Sequence, residues 1–263
     1  MPIPIQTITT PRFTMDYFTF GTGKTPCVIL PGASIRSVML SADAVAALYG
    51  AFTANYTFYV FDKKRNMQPG YDAFAMADDT AEAMEHLGIH RACVFGASLG
   101  GMMAQCLAAR HPALVGKLAL CSTLLSQNET SRVVLDHWIR LADSGNADAL
   151  DRDVWARIYS PAYYQKYQSI FESMTGKATP EEVRQFAVQI RACRTFDGQE
   201  QIRQIRCPVL VVGSRDDRAL SGESSPALAK ALGCPLHLYE GYGHAVYDEA
   251  PDYPARMMSF FSA

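Results

Sequence analysis

The sequence lacks the patterns that mark several common classes of protein. Its 24 basic and 26 acidic side chains give a formal net charge of -2, so neither a basic excess suited to nucleic acid nor an acidic tail is present. The sequence contains no run of about 18 apolar residues, which would predict a membrane span. It also does not start with basic residues followed by an apolar stretch, which would predict a secretory signal. We therefore expect a cytoplasmic protein without nucleic-acid or membrane partners, and homo-oligomerisation stays open.

Patterns for disulfides and metals are missing as well. The chain has seven cysteines, an odd number, and several of them lie in apolar runs such as 27–30 and 207–213. Buried, reduced thiols fit this distribution better than a disulfide framework does. No C-x-x-C pair occurs, and we expect no metal site.

What the sequence does contain is enough apolar material for a large core, arranged in a regular alternation. Hydrophobic residues make up 49% of the chain and charged residues 19%. Short continuous apolar strands separated by helices predict a parallel sheet that is buried on both faces, and hence a layered α/β architecture. In the first half of the chain, strands are predicted over 13–20, 27–30, 57–61, 92–95 and 115–121, and helices over 40–52, 75–87 and 99–110.

The middle of the chain interrupts this alternation. Residues 126–204 contain both tryptophans and four tyrosines but no run typical of a strand, and they predict four or five amphipathic helices. The alternation then resumes, with strands predicted over 208–213 and 236–240 and helices over 225–232 and 253–261. Because the sheet continues after the interruption, we interpret 126–204 as a helical cap inserted into one core formed by 1–125 and 205–263. A second independent domain is the alternative interpretation.

A candidate nucleophile lies in the segment Gly96-Ala97-Ser98-Leu99-Gly100, which matches the pattern G-x-S-x-G. An apolar run over 92–95 precedes it and a helix-forming stretch over 102–109 follows, which is the strand–turn–helix setting that the pattern requires. Glycines beside the serine would let a strained turn approach the neighbouring strand and helix closely. The alternative is an ordinary glycine-rich turn with a capping serine.

A serine hydroxyl needs a base to accept its proton, and His244 is the best placed of the six histidines. It follows the last predicted strand, and catalytic groups gather at the carboxyl ends of strands in such sheets. The strand over 208–213 is followed by Asp216 and Asp217, and either carboxylate could orient the imidazole. The chain order of serine, aspartate and histidine is the order expected for a nucleophile of this kind.

Acyl transfer builds negative charge on the carbonyl oxygen, which backbone N–H groups usually stabilise. One donor should be the N–H of the residue after the nucleophile, Leu99, and the other should come from the loop after an early strand. That loop reads Leu30-Pro31-Gly32-Ala33-Ser34, and we assign the second donor to Ala33. An ordinary Pro-Gly turn is the alternative.

Taken together, these residues resemble the α/β-hydrolase superfamily over nearly the whole chain. Within it, the chain looks most similar to small capped enzymes such as 3-oxoadipate enol-lactonase and carboxylesterases. The resemblance implies an eight-stranded, mostly parallel sheet with a helical cap, and no cofactor. The matching segments are Pro31-Gly32-Ala33, Gly96 to Gly101, His111-Pro112, Gly213-x-x-Asp216, and Gly243-His244 with Glu249-x-Pro251.

The resemblance also decides between the two aspartates. Family members usually place the acid in G-x-x-D after the seventh strand, which corresponds to Asp216 here. Two segments depart from the family pattern: Pro31-Gly32 replaces the common His-Gly, and Asp62-Lys63-Lys64-Arg65-Asn66 replaces D-x-R-G-x-G-x-S. The basic trio 63–65 is interpreted as a solvated loop, with attraction of an anionic substrate as the alternative.

The predicted activity is hydrolysis of a small carboxylic ester or lactone through an acyl-enzyme, with Ser98 as nucleophile, His244 as base and Asp216 as the orienting acid. Two alternatives stay open. The same triad serves hydrolases that cleave C–C bonds of dienol-type ring-cleavage products. The fold also serves as a small-molecule receptor without catalysis, since a fold alone does not imply an activity.

Overall fold

Residues 2–263 are described by the computed structural model, and the first residue of the predicted core, Met1, lies outside them. One eight-stranded sheet runs through the molecule in the order β1-β2-β4-β3-β5-β6-β7-β8. The strands are β1 (Ile5–Thr9), β2 (Thr14–Phe20), β3 (Thr25–Leu30), β4 (Tyr56–Lys64), β5 (Ala92–Ala97), β6 (Val115–Cys121), β7 (Val209–Ser214) and β8 (Leu236–Tyr239).

The sheet is mostly parallel. Strands β3 to β8 pair in parallel with their neighbours, whereas β2 pairs antiparallel with both β1 and β4. The predicted eight-stranded α/β-hydrolase architecture is thereby confirmed. Strand β1 was absent from the expectations drawn from residues alone, because its sequence Ile-Gln-Thr-Ile-Thr at the edge of the sheet is largely exposed and has no apolar run.

Eleven helices accompany the sheet within the described residues, and none of them combines the length and apolarity that crossing a membrane would need. The helix predicted over 40–52 is shorter than expected: only Ala42–Leu48 is α-helical, with single 3-10 turns on either side. Gly50, a weak helix former, follows its end. The helices are α1 (Ala42–Leu48), α2 (Ala73–His86), α3 (Leu99–Arg110), α4 (Glu129–Asp143), α5 (Ala147–Ile158), α6 (Pro161–Lys166), α7 (Gln168–Met174), α8 (Pro180–Thr195), α9 (Ser224–Leu232), α10 (Val246–Glu249) and α11 (Tyr253–Ser262).

The two faces of the sheet are covered by different helices. Along β5, Val94 points into the apolar cluster that contains side chains of α2, α3 and α9. Its neighbours Cys93 and Phe95 point into the cluster formed with α1 and α11. Alternate residues of a strand face opposite sides, so every residue of β5 is buried. The central strand that leads to Ser98 is therefore held from both faces.

Helices α4 to α8 lie between β6 and β7 in the chain, within the region predicted as a cap. Aromatic side chains pack between them: the rings of Trp138 and Phe186 are 6.4 Å apart and those of Trp155 and Phe171 are 5.2 Å apart. Helix α8 begins at a capping box, in which Thr179 and Glu182 satisfy each other's backbone N–H groups. These aromatic residues belong to the same apolar cluster as Val94 of the sheet, so the inserted helices share a core with it.

Candidate active site

The turn that carries Ser98 has the geometry that the sequence pattern predicts. Ser98 joins β5 directly to α3, with φ 52° and ψ -118°. A positive φ is unfavourable for a residue with a side chain. The turn is held by the Ser98 N–H, which donates to the carbonyl of Cys121 at 2.9 Å, and by the Thr123 hydroxyl, which donates to the Ser98 carbonyl at 2.8 Å.

The glycines on either side of Ser98 are required by close contact. A Cβ on Gly96 would lie 2.4 Å from the carbonyl oxygen of Gly100, and a Cβ on Gly100 would lie 1.9 Å from that of Leu30. Both distances are far below a van der Waals contact. The backbone of the turn therefore approaches β3 and α3 more closely than any other residue type allows.

His244 lies in a loop of residues 240–245, here called the His244 loop, which follows β8. Its imidazole is buried, with 3% of the residue exposed. Nδ1 lies 2.8 Å from Oδ2 of Asp217. A carboxylate only accepts hydrogen bonds, so Nδ1 carries the proton and the lone pair lies on Nε2. The other oxygen of Asp217, Oδ1, accepts the N–H groups of Ala219 and Leu220 at 2.8 and 2.9 Å.

The choice of Asp216 as the partner of the histidine is wrong in this geometry. Its carboxylate is exposed and accepts the N–H of Gly241 at 2.7 Å. After β7 the chain makes a turn in which Ser214 bonds to Asp216 N–H and, through its carbonyl, to Asp217 N–H. This turn brings the second aspartate inward. The family spacing G-x-x-D selects Asp216, whereas the imidazole is bound by Asp217.

Ser98 and His244 line the same cavity. Within residues 2–263, no hydrogen bond of 3.5 Å or less joins the Ser98 hydroxyl to the imidazole. Such contacts often shorten only when substrate binds. The predicted serine and histidine are thus brought to one site, with Asp217 behind the imidazole.

The cavity is small and apolar, with a volume of about 30 Å³. Among residues 2–263, the side chains that line it include the imidazole of His244 but no carboxylate, lysine or arginine. Helices of the inserted region supply half of the lining residues, seven of fourteen, so they form part of the wall of the cavity that contains Ser98. The apolar lining consists of Leu135, Trp138, Val154, Ile158, Phe186, Ile190, Ala219 and Leu220, joined by Cys193 and Tyr247.

The predicted amide donors belong to Ala33, which lines the cavity, and to Leu99, which directly follows Ser98. Gly32 and Ala33 line the cavity beside Ser98, and a Cβ on Gly32 would lie 3.2 Å from that of Ser98. Leu99 is the first residue of α3, where a helix leaves its N–H groups without internal acceptors. Among residues 2–263, neither the Ala33 N–H nor the Leu99 N–H has an acceptor. Both remain available to a ligand.

The basic trio 63–65 is neither a solvated loop nor an anion site. Lys63 and Lys64 belong to β4, and Lys63 is only 6% exposed. Lys63 Nζ donates to the carbonyls of Pro31 and Gly32 at 3.2 and 2.5 Å. The other two cations are paired elsewhere, Lys64 with Asp79 at 3.0 Å and Arg65 with Asp16 at 2.6 Å. None of the three lines the cavity.

The His244 loop is fastened by a buried carboxylate. Glu249 Oε1 accepts the N–H groups of Gly243 and Ser160, each at 2.9 Å, and Oε2 accepts the Ser160 hydroxyl at 2.5 Å. The Ala245 N–H also donates to the Ile158 carbonyl at 2.7 Å. The residue before the histidine and the residue after it are thus both tied to the end of α5.

A second loop that lines the cavity is hydrogen-bonded to the inserted helices as well. The loop of residues 31–37 after β3 is here called the Pro31 loop. Gln189 of α8 accepts the Ser34 N–H at 3.1 Å and donates to the Ser34 carbonyl at 3.0 Å. Arg36 makes two bonds, of 3.0 and 3.1 Å, to the buried carboxylate of Asp151 in α5. Both loops of the site are therefore hydrogen-bonded to the inserted helices.

Competing chemistry at the cavity is limited. Burial raises the pKa of Cys193 to about 12, so this thiol stays protonated near neutral pH and is a poor nucleophile. Within residues 2–263, no three His, Cys, Asp or Glu side chains are grouped so as to hold a metal ion. The reactive groups that remain at the cavity are Ser98 and His244.

Sequence reasoning missed three residues that shape the site: Asp217, Glu249 and Lys63. The signal for Asp217 was present as the pair of adjacent aspartates, and the family spacing selected the wrong one. Glu249 belongs to the matching segment Glu249-x-Pro251, but the sequence does not predict what its side chain does. Lys63 had no signal, because a lysine in a charged run typically lies on the surface.

Comparison with known proteins agrees with this geometry. The family described as alpha/beta hydrolase fold matches residues 51–251, which is most of the chain. A curated relative is RutD of Rhizobium rhizogenes, which is named for carbamate hydrolase activity. It is 27% identical over 212 residues, covering 77% of this chain and 80% of RutD.

Two solved structures have the same fold. An alpha/beta hydrolase enzyme from a deep-sea metagenome library of the Medee basin superposes with a TM-score of 0.88 at 22% identity, covering 98% of each chain. The enol-lactonase of Burkholderia xenovorans superposes with a TM-score of 0.84 at 20% identity, covering 98% of this chain and all of the other. At this level of identity the similarity concerns the fold.

Proposed function

This chain belongs to the alpha/beta hydrolase fold family, and we propose that it is a serine hydrolase that cleaves small, uncharged carboxylic esters or lactones. One observation carries the proposal: Ser98 and a histidine held by a buried carboxylate face the same cavity. That combination supplies a nucleophile and a base of the correct tautomer. Two unpaired amide N–H groups nearby add the donors that acyl transfer needs.

In the proposed acylation step, Ser98 Oγ attacks the carbonyl carbon while Nε2 of His244 takes the hydroxyl proton. Asp217 holds the Nδ1 proton and stabilises the imidazolium that forms. The carbonyl oxygen becomes an oxyanion and accepts hydrogen bonds from the Ala33 and Leu99 N–H groups. The C–O bond to the leaving group then breaks, and the alcohol departs with the proton from His244.

Deacylation uses the same groups with water in place of the serine. His244 takes a proton from water as the oxygen attacks the acyl carbon. A second oxyanion forms at the same two amides and collapses to release the acid, and Ser98 regains its proton. The reaction balances without any added oxidant, reductant or cofactor.

The cavity supports a small and uncharged acyl group. A volume of about 30 Å³ is well below the roughly 300 Å³ and above that is typical of pockets for larger ligands. No cation lines it to pair with a substrate carboxylate, and burying an unpaired carboxylate there would be costly. We therefore expect short neutral esters and lactones to be better substrates than esters whose acyl part carries a charge.

Carbamate hydrolysis is a second candidate, favoured by the similarity to RutD over 77% of this chain. Attack on a carbamate carbonyl would use the same serine, histidine and amides. C–C bond hydrolysis of dienol-type products would also use them, but it has no separate observation in its favour. A neutral carbamate and a dienol substrate therefore belong in the same assay panel as the esters.

The proposal includes a cytoplasmic location. All seven cysteines are unpaired, and reduced thiols of this kind are typical of the cytosol. Fractionation of cells that express the untagged chain would test this part separately from the enzymology.

The first test uses Ser98→Ala. We expect a fluorophosphonate to label the wild-type protein at Ser98, and the variant to lose label and about 10⁴-fold or more of kcat. The matched control is Ser122→Ala, since Ser122 also has a positive φ at a strand end and its hydroxyl contacts only the Cys121 sulfur, at 3.7 Å. Esterase activity that survives Ser98→Ala, together with absence of label in the wild type, would refute the proposal.

The second test separates the substrates. p-Nitrophenyl esters of graded acyl length, a neutral lactone, a half-ester with a free carboxylate, a neutral carbamate and a dienol are compared by kcat/KM. The proposal predicts the highest values for short neutral esters or lactones. A carbamate preference would favour the second candidate, and tight binding of the panel without turnover would favour a receptor.

A further inference from the structure

Lys63 is a buried cation that the proposed mechanism does not use. Its residue is 6% exposed, and within residues 2–263 no carboxylate lies within 4.0 Å of its Nζ. Its acceptors are instead two backbone carbonyls, those of Pro31 and Gly32. Burying an ammonium group without a counter-ion is costly, so its place at this loop calls for a physical reason.

The peptide that joins Gly32 to Ala33 supplies that reason. A trans peptide is planar, and its C=O and N–H point in opposite directions; residues 2–263 contain no cis peptide. When Lys63 holds the Gly32 oxygen at 2.5 Å, the Ala33 N–H must point away from Lys63. Ala33 lines the cavity, and its N–H has no acceptor among the described residues.

The peptides that follow are held differently. Gln189 holds Ser34 through both its N–H and its carbonyl, which fixes the loop with neutral hydrogen bonds. Lys63 places a charge on the oxygens of two peptides, those that join Pro31 to Gly32 and Gly32 to Ala33, and the shorter contact, 2.5 Å, is to the Gly32 oxygen. Among residues 2–263 the N–H groups of both peptides have no acceptor. A charge-assisted bond is roughly twice as strong as a neutral one, and it polarises the amide so that the N–H becomes a better donor.

We propose that Lys63 is a positioning residue, which orients and polarises the peptide between Gly32 and Ala33 so that the Ala33 N–H can stabilise an oxyanion. The inference rests on the proposed hydrolase function. In this proposal Lys63, which does not line the cavity, acts on the Pro31 loop and does not contact substrate.

The test compares Lys63→Met with Lys64→Met. The neighbouring lysine is a matched control, since it pairs with Asp79, which Arg12 and Tyr71 still hold without it. We expect Lys63→Met to lower kcat by about 10²-fold, comparable with loss of one oxyanion donor, with KM changed less than about 3-fold. Lys64→Met should stay within about 3-fold of wild type in both.

A trifluoromethyl ketone gives a readout that a merely structural role would not move. It forms a tetrahedral oxyanion on serine, so its Ki should rise in Lys63→Met by the same factor as kcat/KM falls. Lys63→Arg, which keeps the charge, should recover most of the lost kcat. Unchanged kcat in a folded Lys63→Met, or a lowered kcat with an unchanged Ki, would overturn the inference.

If Lys63→Met does not fold, the pH profiles of wild type and Lys63→Arg decide instead. An alkaline fall in kcat that is present in the wild type and absent in the arginine variant supports the inference, and identical profiles overturn it. Failure of the hydrolase proposal is separate, because it would appear as absence of fluorophosphonate label at Ser98 in the wild-type protein.

Discussion

The Pro31 loop and the His244 loop both line the same cavity, and buried charges of opposite sign hold them. Lys63 holds the first by its carbonyls, and Glu249 holds the second by the N–H of Gly243. Neither charge has a counter-ion within 4.0 Å in residues 2–263. Lys63 is compensated by two backbone carbonyls, and Glu249 by two backbone N–H groups and the Ser160 hydroxyl.

The sign of each buried charge determines which backbone groups of the loop remain free to bind a ligand. A cation occupies carbonyls and leaves N–H groups free, which suits a loop that has to bind an oxyanion. A carboxylate occupies N–H groups, which suits a loop that presents a side chain and needs no free donors. The comparison therefore predicts that removing either charge disturbs catalysis, but through different quantities.

The largest expected effect concerns the side chain that the His244 loop presents. Asp217→Asn replaces an acceptor by a group that can donate, which favours the wrong imidazole tautomer. We expect kcat for a short neutral ester to fall by about 10⁴-fold, as for other triads of this kind, with little change in KM. Steady-state kinetics on the purified variant provides the measurement.

Asp216→Asn is the matched control for that substitution. Its side chain can still accept the Gly241 N–H, so kcat should stay within about 3-fold of wild type. A larger loss in Asp216→Asn than in Asp217→Asn would reverse the assignment made from the geometry.

A smaller effect is expected from Glu249→Gln. Glu249 accepts three hydrogen bonds, from the Gly243 N–H, the Ser160 N–H and the Ser160 hydroxyl. The side-chain amide of glutamine leaves one of these donors without a good acceptor. The free energy of unfolding should fall by about 1–3 kcal/mol, and kcat by about 10-fold as the histidine loses its fixed position. Lys63→Met should raise the Ki of the trifluoromethyl ketone, whereas Glu249→Gln should lower the melting temperature and leave that Ki within about 3-fold of wild type.

Ser160→Ala provides the control, because it removes only the hydroxyl bond to Glu249. The double variant should lose less stability than the sum of the two single losses, since the residues share one interaction. Strict additivity in urea denaturation would show that Glu249 does not act through Ser160.

The smallest expected effect is a change of kcat with pH that depends on the Pro31 loop and not on the His244 loop. Burial lowers the pKa of Lys63 below its ordinary 10.5, opposed by the nearby Asp62 charge. Deprotonation removes the charge from the Gly32 oxygen, so kcat should decline a few-fold as the pH rises toward 10.5, before an exposed lysine would lose its proton. The facing thiol, Cys193, has a pKa raised to about 12 and stays neutral over this range.

Glu249→Gln should show the same relative decline, because it leaves Lys63 and its two carbonyl acceptors in place. Lys63→Arg should show none. A profile of kcat against pH for the three proteins, with folding monitored by circular dichroism at each pH, would reveal whether the decline belongs to the Pro31 loop.

Much of the molecule could be predicted from local patterns. The continuous apolar run over 92–95 and the glycines beside Ser98 predicted a buried strand and a tight turn, because periodicity and close backbone contact are properties of a few adjacent residues. The edge strand β1 was not predicted because three of its five residues are exposed and it has no apolar run. The helix over 40–52 was predicted too long because a single glycine interrupts it.

The amino-acid sequence alone thus determined the order of strands and helices, the elbow that carries Ser98 and the position of His244 after the last strand. Only the tertiary structure decided that Asp217 rather than Asp216 meets the imidazole, and that Lys63 turns inward. The physical reason is that the direction of one side chain on a turn or strand end depends on which distant backbone groups lie within hydrogen-bond reach. Those groups come together only when the chain is folded.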